Sequence, residues 1–159
     1  MNTHEHIEVR RRVQDAISLY ENAGKETLMV EIVDSRGRFV LDERYIFALN
    51  LNGTMLAHPM EPELTGKNLM DLTDSEGSAF IREIINTAKT YGYGFTGYKW
   101  RRPGSEDELP KTVFFERVGD IILCSGFYSS QESLLDSIIN YLRSPLQAVY
   151  GGGWPYGPC

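Results

Sequence analysis

"YGFTGYKWRRPGSEDELPKTVFFERV", Tyr93 to Val118, is the stretch on which the fold turns. Successive side chains of a strand point to opposite faces, so Tyr98 and Trp100 share one face and Lys99 and Arg101 the other. Between the two arms, "RPGSEDELP" is dense in charge and in turn-forming residues. The arms therefore close as an antiparallel hairpin, with strands at about 94–101 and 111–118. The turn Gly119-Asp120 leads into a third strand, about 120–128, over "DIILCSGFY".

Moving outward, "RYIFALNLNGTMLAHP" predicts a second hairpin around the turn Asn52-Gly53. Tyr45, Phe47 and Leu49 share one face of its first strand, and Thr54, Leu56 and His58 share one face of its second. "EPELTGKNLMDLTDSEG" is a loop rich in turn residues, and Asp74 has the place of a cap for the helix after it. That helix is amphipathic, with Phe80, Ile81, Ile84, Ile85 and Ala88 on its apolar side.

At the start of the chain, residues 4 to about 23 have helical spacing in Val9, Val13, Ala16, Ile17 and Tyr20. Arg10, Arg11 and Arg12 fall mostly on the opposite, solvated side. "KETLMVEIVD" makes a shorter helix. A last helix follows "GFYSS", with Ser129 and Glu132 in capping-box spacing, and ends at Pro145. The order gives an α+β domain: a five-stranded antiparallel sheet with a long N-terminal helix and flanking helices. It spans residues 1–145, and "GGGWPYGPC" closes a Gly/Pro-rich flexible tail over 146–159.

Composition narrows the function. The 159 residues carry a net charge of -6, which argues against a nucleic-acid partner. There is no apolar run of roughly 18 residues and no signal-peptide core at the start. The expectation is a cytoplasmic protein if the chain is full length, and a periplasmic or extracellular domain if it is excised from a receptor. Gly-x-Ser-x-Gly, the phosphate-binding loop and His-Glu-x-x-His are all missing, so no enzyme activity and no catalytic residue is expected. No metal site is expected either. His4 and His6 diverge on a helix, and "SEDE" at 105–108 lacks calcium-loop spacing. Cys124 sits in an apolar run as an inert thiol; Cys159 ends the tail.

"YIFALNLNGTMLAHP", "LTGKNLMDLTDSEGSAFIREIINTA", "YGFTGYKWRRP", "LPKTVFFERV" and "CSGFY" come in an order that resembles the single Cache sensor domain of chemoreceptors and sensor kinases. The likeness covers about residues 8 to 132. It implies a PAS-like sheet and a pocket for a small ligand, often an organic acid, with a downstream signalling partner. It also places the Pro-Lys lysine, Lys111, at the ligand. Family members usually sit between two membrane-spanning helices, which this sequence does not contain. "NYLRSPLQAV" is faintly like a kinase phosphoacceptor helix but has no His near Asn140.

Each candidate site residue has a plainer reading beside it. Lys111 is either a carboxylate anchor or a solvated strand-edge lysine. Tyr98 and Trp100 either wall an apolar cavity and donate into it, or pack under a helix. His58 either contacts the ligand or packs at a strand end. Tyr45, Phe47, Phe80, Phe115 and Tyr128 line the pocket or fill the core. No cofactor is expected; the alternative is a haem-binding or redox protein on the same sheet, with His58 as axial ligand. The apolar stripe of the first helix predicts a homodimer through parallel N-terminal helices.

Overall fold

The structure, a computed structural model, describes residues 3–129 together with 138, 139 and 142. Residues Asn2–Tyr128 form one compact unit. Of the segment after it, residues 138, 139 and 142 are helical. The expected cap at Ser129 and Glu132, the stop at Pro145, the tail with Trp154, and Cys159 lie outside the described residues in whole or part.

Helix α1 (Thr3–Ala23) and helix α2 (Lys25–Val33) come first. Strands β1 (Val40–Leu41), β2 (Arg44–Asn50) and β3 (Met55–Ala57) follow. A single 3-10 turn, Pro62–Leu64, lies in the long loop before α3 (Phe80–Tyr91). The chain then runs through β4 (Tyr93–Arg101), β5 (Glu108–Val118) and β6 (Ile121–Tyr128). The sheet has six strands, not five, in the order β1-β2-β6-β5-β4, with β3 paired to β2. The extra strand, β1, is a two-residue pairing of Val40 with Tyr45 and Leu41 with Arg44. A pairing that short leaves no period to detect in the sequence.

Period two sorts the sheet residues onto two cores. Tyr45, Phe47, Leu49, Tyr98, Val113, Phe115, Ile122 and Cys124 face α3 and the long loop. Ile46, Ala48, Phe114, Ile121, Leu123 and Phe127 face α1 and α2. Helix α3 buries Phe80, Ile81, Ile84, Ile85 and Ala88, the five residues its spacing predicts. At the β2–β3 turn Gly53 has φ 84°, and a Cβ there would lie 2.6 Å from Met70 Cγ, so both backbone and neighbour require glycine.

Three local expectations need correction. The hairpin loop between β4 and β5 is shorter than "RPGSEDELP", because Leu109 and Pro110 already pair with Trp100 and Lys99. Asp74 does not cap α3, whose N-cap is Ala79 with no side-chain bond. Its Oδ1 instead accepts from the Glu76 and Ser78 N–H groups, and its Oδ2 from the Lys99 N–H at 2.9 Å, tying the loop to β4. Arg12 is not solvated: it is buried and donates to Ser125 Oγ at 3.1 Å. His6 packs its ring against Phe95 and Phe127, each with centroids 5.2 Å away.

The stripe of α1 is used inside the unit. Val9, Val13 and Ala16 are fully buried, with Ile17 and Tyr20 packed beside them. All five contribute to the core beneath the sheet, and the three fully buried ones are not available to a second copy. Among the described large apolar residues of α1, Ile7 is the one that stays largely exposed.

Candidate functional site

Lys111 opens the buried stretch of β5, a strand flanked on both sides. The ladder sets it directly opposite Tyr98 of β4 and Tyr128 of β6. It is not at an edge, and it is 2 % exposed. Its aliphatic stem crosses Gly126, where a Cβ would come within 2.8 Å of Lys111 Cε. The ammonium lies 4.3 Å from the Tyr45 ring centroid, 5.3 Å from Phe47 and Tyr128, and 6.0 Å from Tyr98. Rings around a cation at these distances attract it through their electron-rich faces.

The ammonium donates to the Tyr45 hydroxyl at 2.9 Å. An ammonium has three donors, and the described residues give this one a single hydrogen bond. Burial lowers the Lys111 pKa to about 7, against which Glu61 acts as the nearby negative charge. The Tyr45 phenol is pushed well up by its own burial and interacts with the Tyr128 hydroxyl. Tyr128 in turn donates to the Arg101 carbonyl at 2.8 Å. A polar line thus runs from the buried cation to the last residue of β4.

His58 lies beside this cage, 4.9 Å from the Tyr45 ring and 5.6 Å from Phe47. β3 ends at Ala57, so alternation no longer governs His58, and it turns to the face of Met55 while Leu56 packs on the other core. Its Nδ1 accepts from the Met60 and Glu61 N–H groups at 3.2 and 2.9 Å. Burial, and then the Lys111 charge, lower its pKa to about 3, so the ring is neutral. With Nδ1 as the acceptor, the neutral ring carries its proton on Nε2, which is left as a donor.

Aromatic walls complete the chamber. Tyr98 stacks on Phe80 with centroids 3.8 Å apart, and Trp100 stands edge-on to Phe80 at 5.4 Å. Phe47, His58, Phe80, Tyr98, Trp100 and Lys111 line one small cavity, roofed by Leu64, Leu69 and Leu72 of the long loop. Its accessible volume is about 10 Å³, room for about one water molecule. A second cavity of about 210 Å³ opens beyond Tyr45, between Glu61 and residues Arg101 to Glu106.

The structure therefore gathers Tyr45, Phe47, His58, Phe80, Tyr98, Trp100, Lys111 and Tyr128 around one centre. Phe115 stands apart: it shares their face but lies under α3, against Gly94 and Thr87. Sequence reasoning missed Glu61. Its side chain is 15 % exposed, with Oε1 3.6 Å from Arg101 Nη2. Oε2 is buried without a hydrogen-bond partner among the described residues. Burial raises the Glu61 pKa, while Arg101 and Lys111 pull it back. Nothing in "HPMEPEL" marks this glutamate as turned inward.

Residues 8–148 match the family model of the Cache domain. The chain belongs to the Cache domain family. Cache sensor domains are non-catalytic ligand-binding modules of chemoreceptors and histidine kinases, and the PAS-like sheet described above is their fold. Over 70 residues this Cache domain is 37 % identical to the sensor histidine kinase MctS of Rhizobium johnstonii, covering 44 % of this chain and 15 % of that protein. Over 86 residues it is 28 % identical to the methyl-accepting chemotaxis protein McpP of Pseudomonas putida, covering 53 % and 16 %. The chain thus spans a small part of either protein.

Solved structures agree on the architecture. The periplasmic sensor domain of a chemotaxis protein superposes with a TM-score of 0.73 at 25 % identity, over 82 % of this chain and 99 % of that one. A Cache chemosensory domain solved for carboxylic acid recognition gives 0.67 at 23 % identity, over 80 % and 92 %. A methyl-accepting chemotaxis protein from Vibrio parahaemolyticus gives 0.64 at 26 % identity, over 79 % and 86 %.

Proposed function

We propose that this Cache domain senses a small organic acid, held by its carboxylate on Lys111. The observation that carries the reading is the buried Lys111 ammonium with one hydrogen bond, to Tyr45, inside a cage of rings. A buried cation is costly until it is paired, and a carboxylate supplies both the charge and the acceptors that the two remaining donors lack. The solved Cache domain that recognises carboxylic acid has the same fold, which is compatible with this chemistry. Admission of the acid requires the roof of Leu64, Leu69 and Leu72 to lift, because the chamber holds about 10 Å³.

In this proposal the domain sits outside the cytoplasmic membrane as part of a longer receptor. No described helix is long and apolar enough to cross a membrane. The longer protein passes occupancy of the site to a signalling partner, as a homodimer that pairs the outer face of α1 around Ile7. Light scattering that gives a monomer mass at all micromolar concentrations removes the dimer. The test of the site is a thermal-shift screen with acetate, propionate and lactate on the parent and on Lys111→Ala. A carboxylate should raise the melting temperature of the parent alone, because binding to the native state stabilises by mass action. An equal shift in both proteins removes Lys111 as the anchor.

A further inference from the structure

We infer that the chamber takes up a proton with its carboxylate, so that what fills the Lys111 site is an acid counted as anion plus proton, and occupancy falls as the surroundings turn alkaline. The inference rests on the reading of Lys111 given above. Nothing among the described residues of the free chamber balances a charge on Lys111 Nζ. They form no ion pair with it, and its single hydrogen bond goes to a hydroxyl, that of Tyr45. Glu61, the nearby carboxylate, lines the second cavity and approaches Arg101 at 3.6 Å. The chamber has room for about one water, so hydration cannot stand in for a counter-ion. The rings of Tyr45, Phe47, Tyr98 and Tyr128 attract the ammonium, but this offsets only part of what its burial costs.

Each strand around Nζ brings a group that titrates, and burial moves these away from neutrality. Tyr45 of β2 and Tyr98 of β4 are buried phenols held well above their ordinary range, and Tyr128 of β6 is pushed up to about 12. The Cys124 thiol of β6 is pushed up as well. His58, just after β3, is held down at about 3. In the long loop Glu61 is raised by burial, and the roof over the chamber and Phe80 of α3 are apolar. Lys111 itself is lowered to about 7, so the free site sheds its proton as pH rises through neutrality. A carboxylate seated beside Nζ reverses this, because an opposite charge at close range favours the charged form. The Nζ lone pair takes a proton from the buffer, and N–H is the one covalent bond made. The ammonium then keeps Tyr45 and turns its two other donors to the ligand oxygens.

The test is titration calorimetry of the protein with propionate, in HEPES and in Tris, two buffers whose heats of ionisation differ. At about pH 8 the apparent heats should differ between the buffers by the amount that corresponds to nearly one proton taken up per site. The dissociation constant should be level below neutrality and rise by up to about tenfold per pH unit above about 7. Protein labelled with carbon-13 at lysine Cε places the proton. The Lys111 signal, identified by its loss in Lys111→Ala or Lys111→Met, should move through neutral pH in the free protein and hold still under saturating propionate. Equal heats in the two buffers, with an affinity independent of pH, overturn the proton coupling and leave Lys111 as anchor. Unequal heats with a Lys111 signal that does not move put the proton on another group and overturn it too. No binding of propionate at any pH overturns the Lys111 reading and this one together.

Discussion

The Lys111 ammonium donates to the Tyr45 hydroxyl at 2.9 Å, and that bond sets the chemistry of the whole chamber. It fixes the cation at the centre of the rings and leaves its other donors facing the cavity. It also links the cation through Tyr45 and Tyr128 to the end of β4.

The cation should make stability depend on pH in the alkaline range. Burial lowers the Lys111 pKa from 10.5 to about 7, so between those values the unfolded chain binds the extra proton. Stability then rises as pH increases from about 7 towards 10.5, with a slope of at most about 1.4 kcal/mol per pH unit. Lys111→Met fills the same space without charge. It should flatten that slope, raise unliganded stability by about 1–2 kcal/mol at pH 6, and lose all stabilisation by carboxylates. Urea melts from pH 6 to 10 measure this, and parallel profiles for the two proteins refute it.

His58 governs the acid limb. Its pKa of about 3 lies below the ordinary 6.5, so the unfolded state takes up a proton that the folded state refuses, and stability falls as pH drops from 6.5 towards 3. His58→Asn keeps an oxygen where Nδ1 accepts the Met60 and Glu61 N–H groups, but does not titrate. It should reduce the acid sensitivity. His58→Ala leaves both N–H groups without that acceptor and should cost about 2 kcal/mol at neutral pH. Equal acid limbs in parent and His58→Asn would show that another group dominates.

Gly126 provides the floor under the lysine stem. A Cβ there would lie 2.8 Å from both Lys111 Cε and Thr112 O, and 2.9 Å from Val113 Cγ2. Gly126→Ala should lower the melting temperature and weaken carboxylate binding by at least about tenfold, since the anchor must shift. Combined with Lys111→Ala, part of the lost melting temperature should return. Strictly additive losses in the double variant rule out this contact.

Trp100 should report on occupancy. It walls the chamber and stands edge-on to Phe80. Ligand entry should shift or quench its emission, and Trp100→Phe should weaken binding by about 1 kcal/mol through loss of the indole N–H. Trp154→Phe should leave both unchanged. Unaltered affinity in Trp100→Phe with a lowered melting temperature makes Trp100 a packing residue only.

Much of this was legible before the fold was known. Alternation along "YGFTGYKWRR" and "LPKTVFFERV" puts Tyr98, Trp100 and Lys111 on one face, and the helical spacing of α3 names its five buried residues. The residues that escaped are placed by side-chain bonds and packing that apolar period does not record. Glu61 sits in a local turn, its N–H held by His58, three residues earlier. Arg12 reads as a solvated helix residue, yet its long side chain reaches Ser125 in β6. Phe115 has the right face but the wrong height along β5, a distinction that period two cannot make.

Neighbouring arginines at the end of β4 reach different segments: Arg101 approaches Glu61 of the long loop, and Arg102 pairs with Glu43 just before β2. Both contacts are partly solvated, so salt weakens them. They brace the mouth whether or not an acid lies behind it, and so enter free and occupied states alike. Raising ionic strength should therefore quicken capture and escape together while the dissociation constant changes little. Stopped-flow traces at low and high salt would then differ in their time constants and share their end points, making the arginine pair a setting of how fast the sensor follows its surroundings.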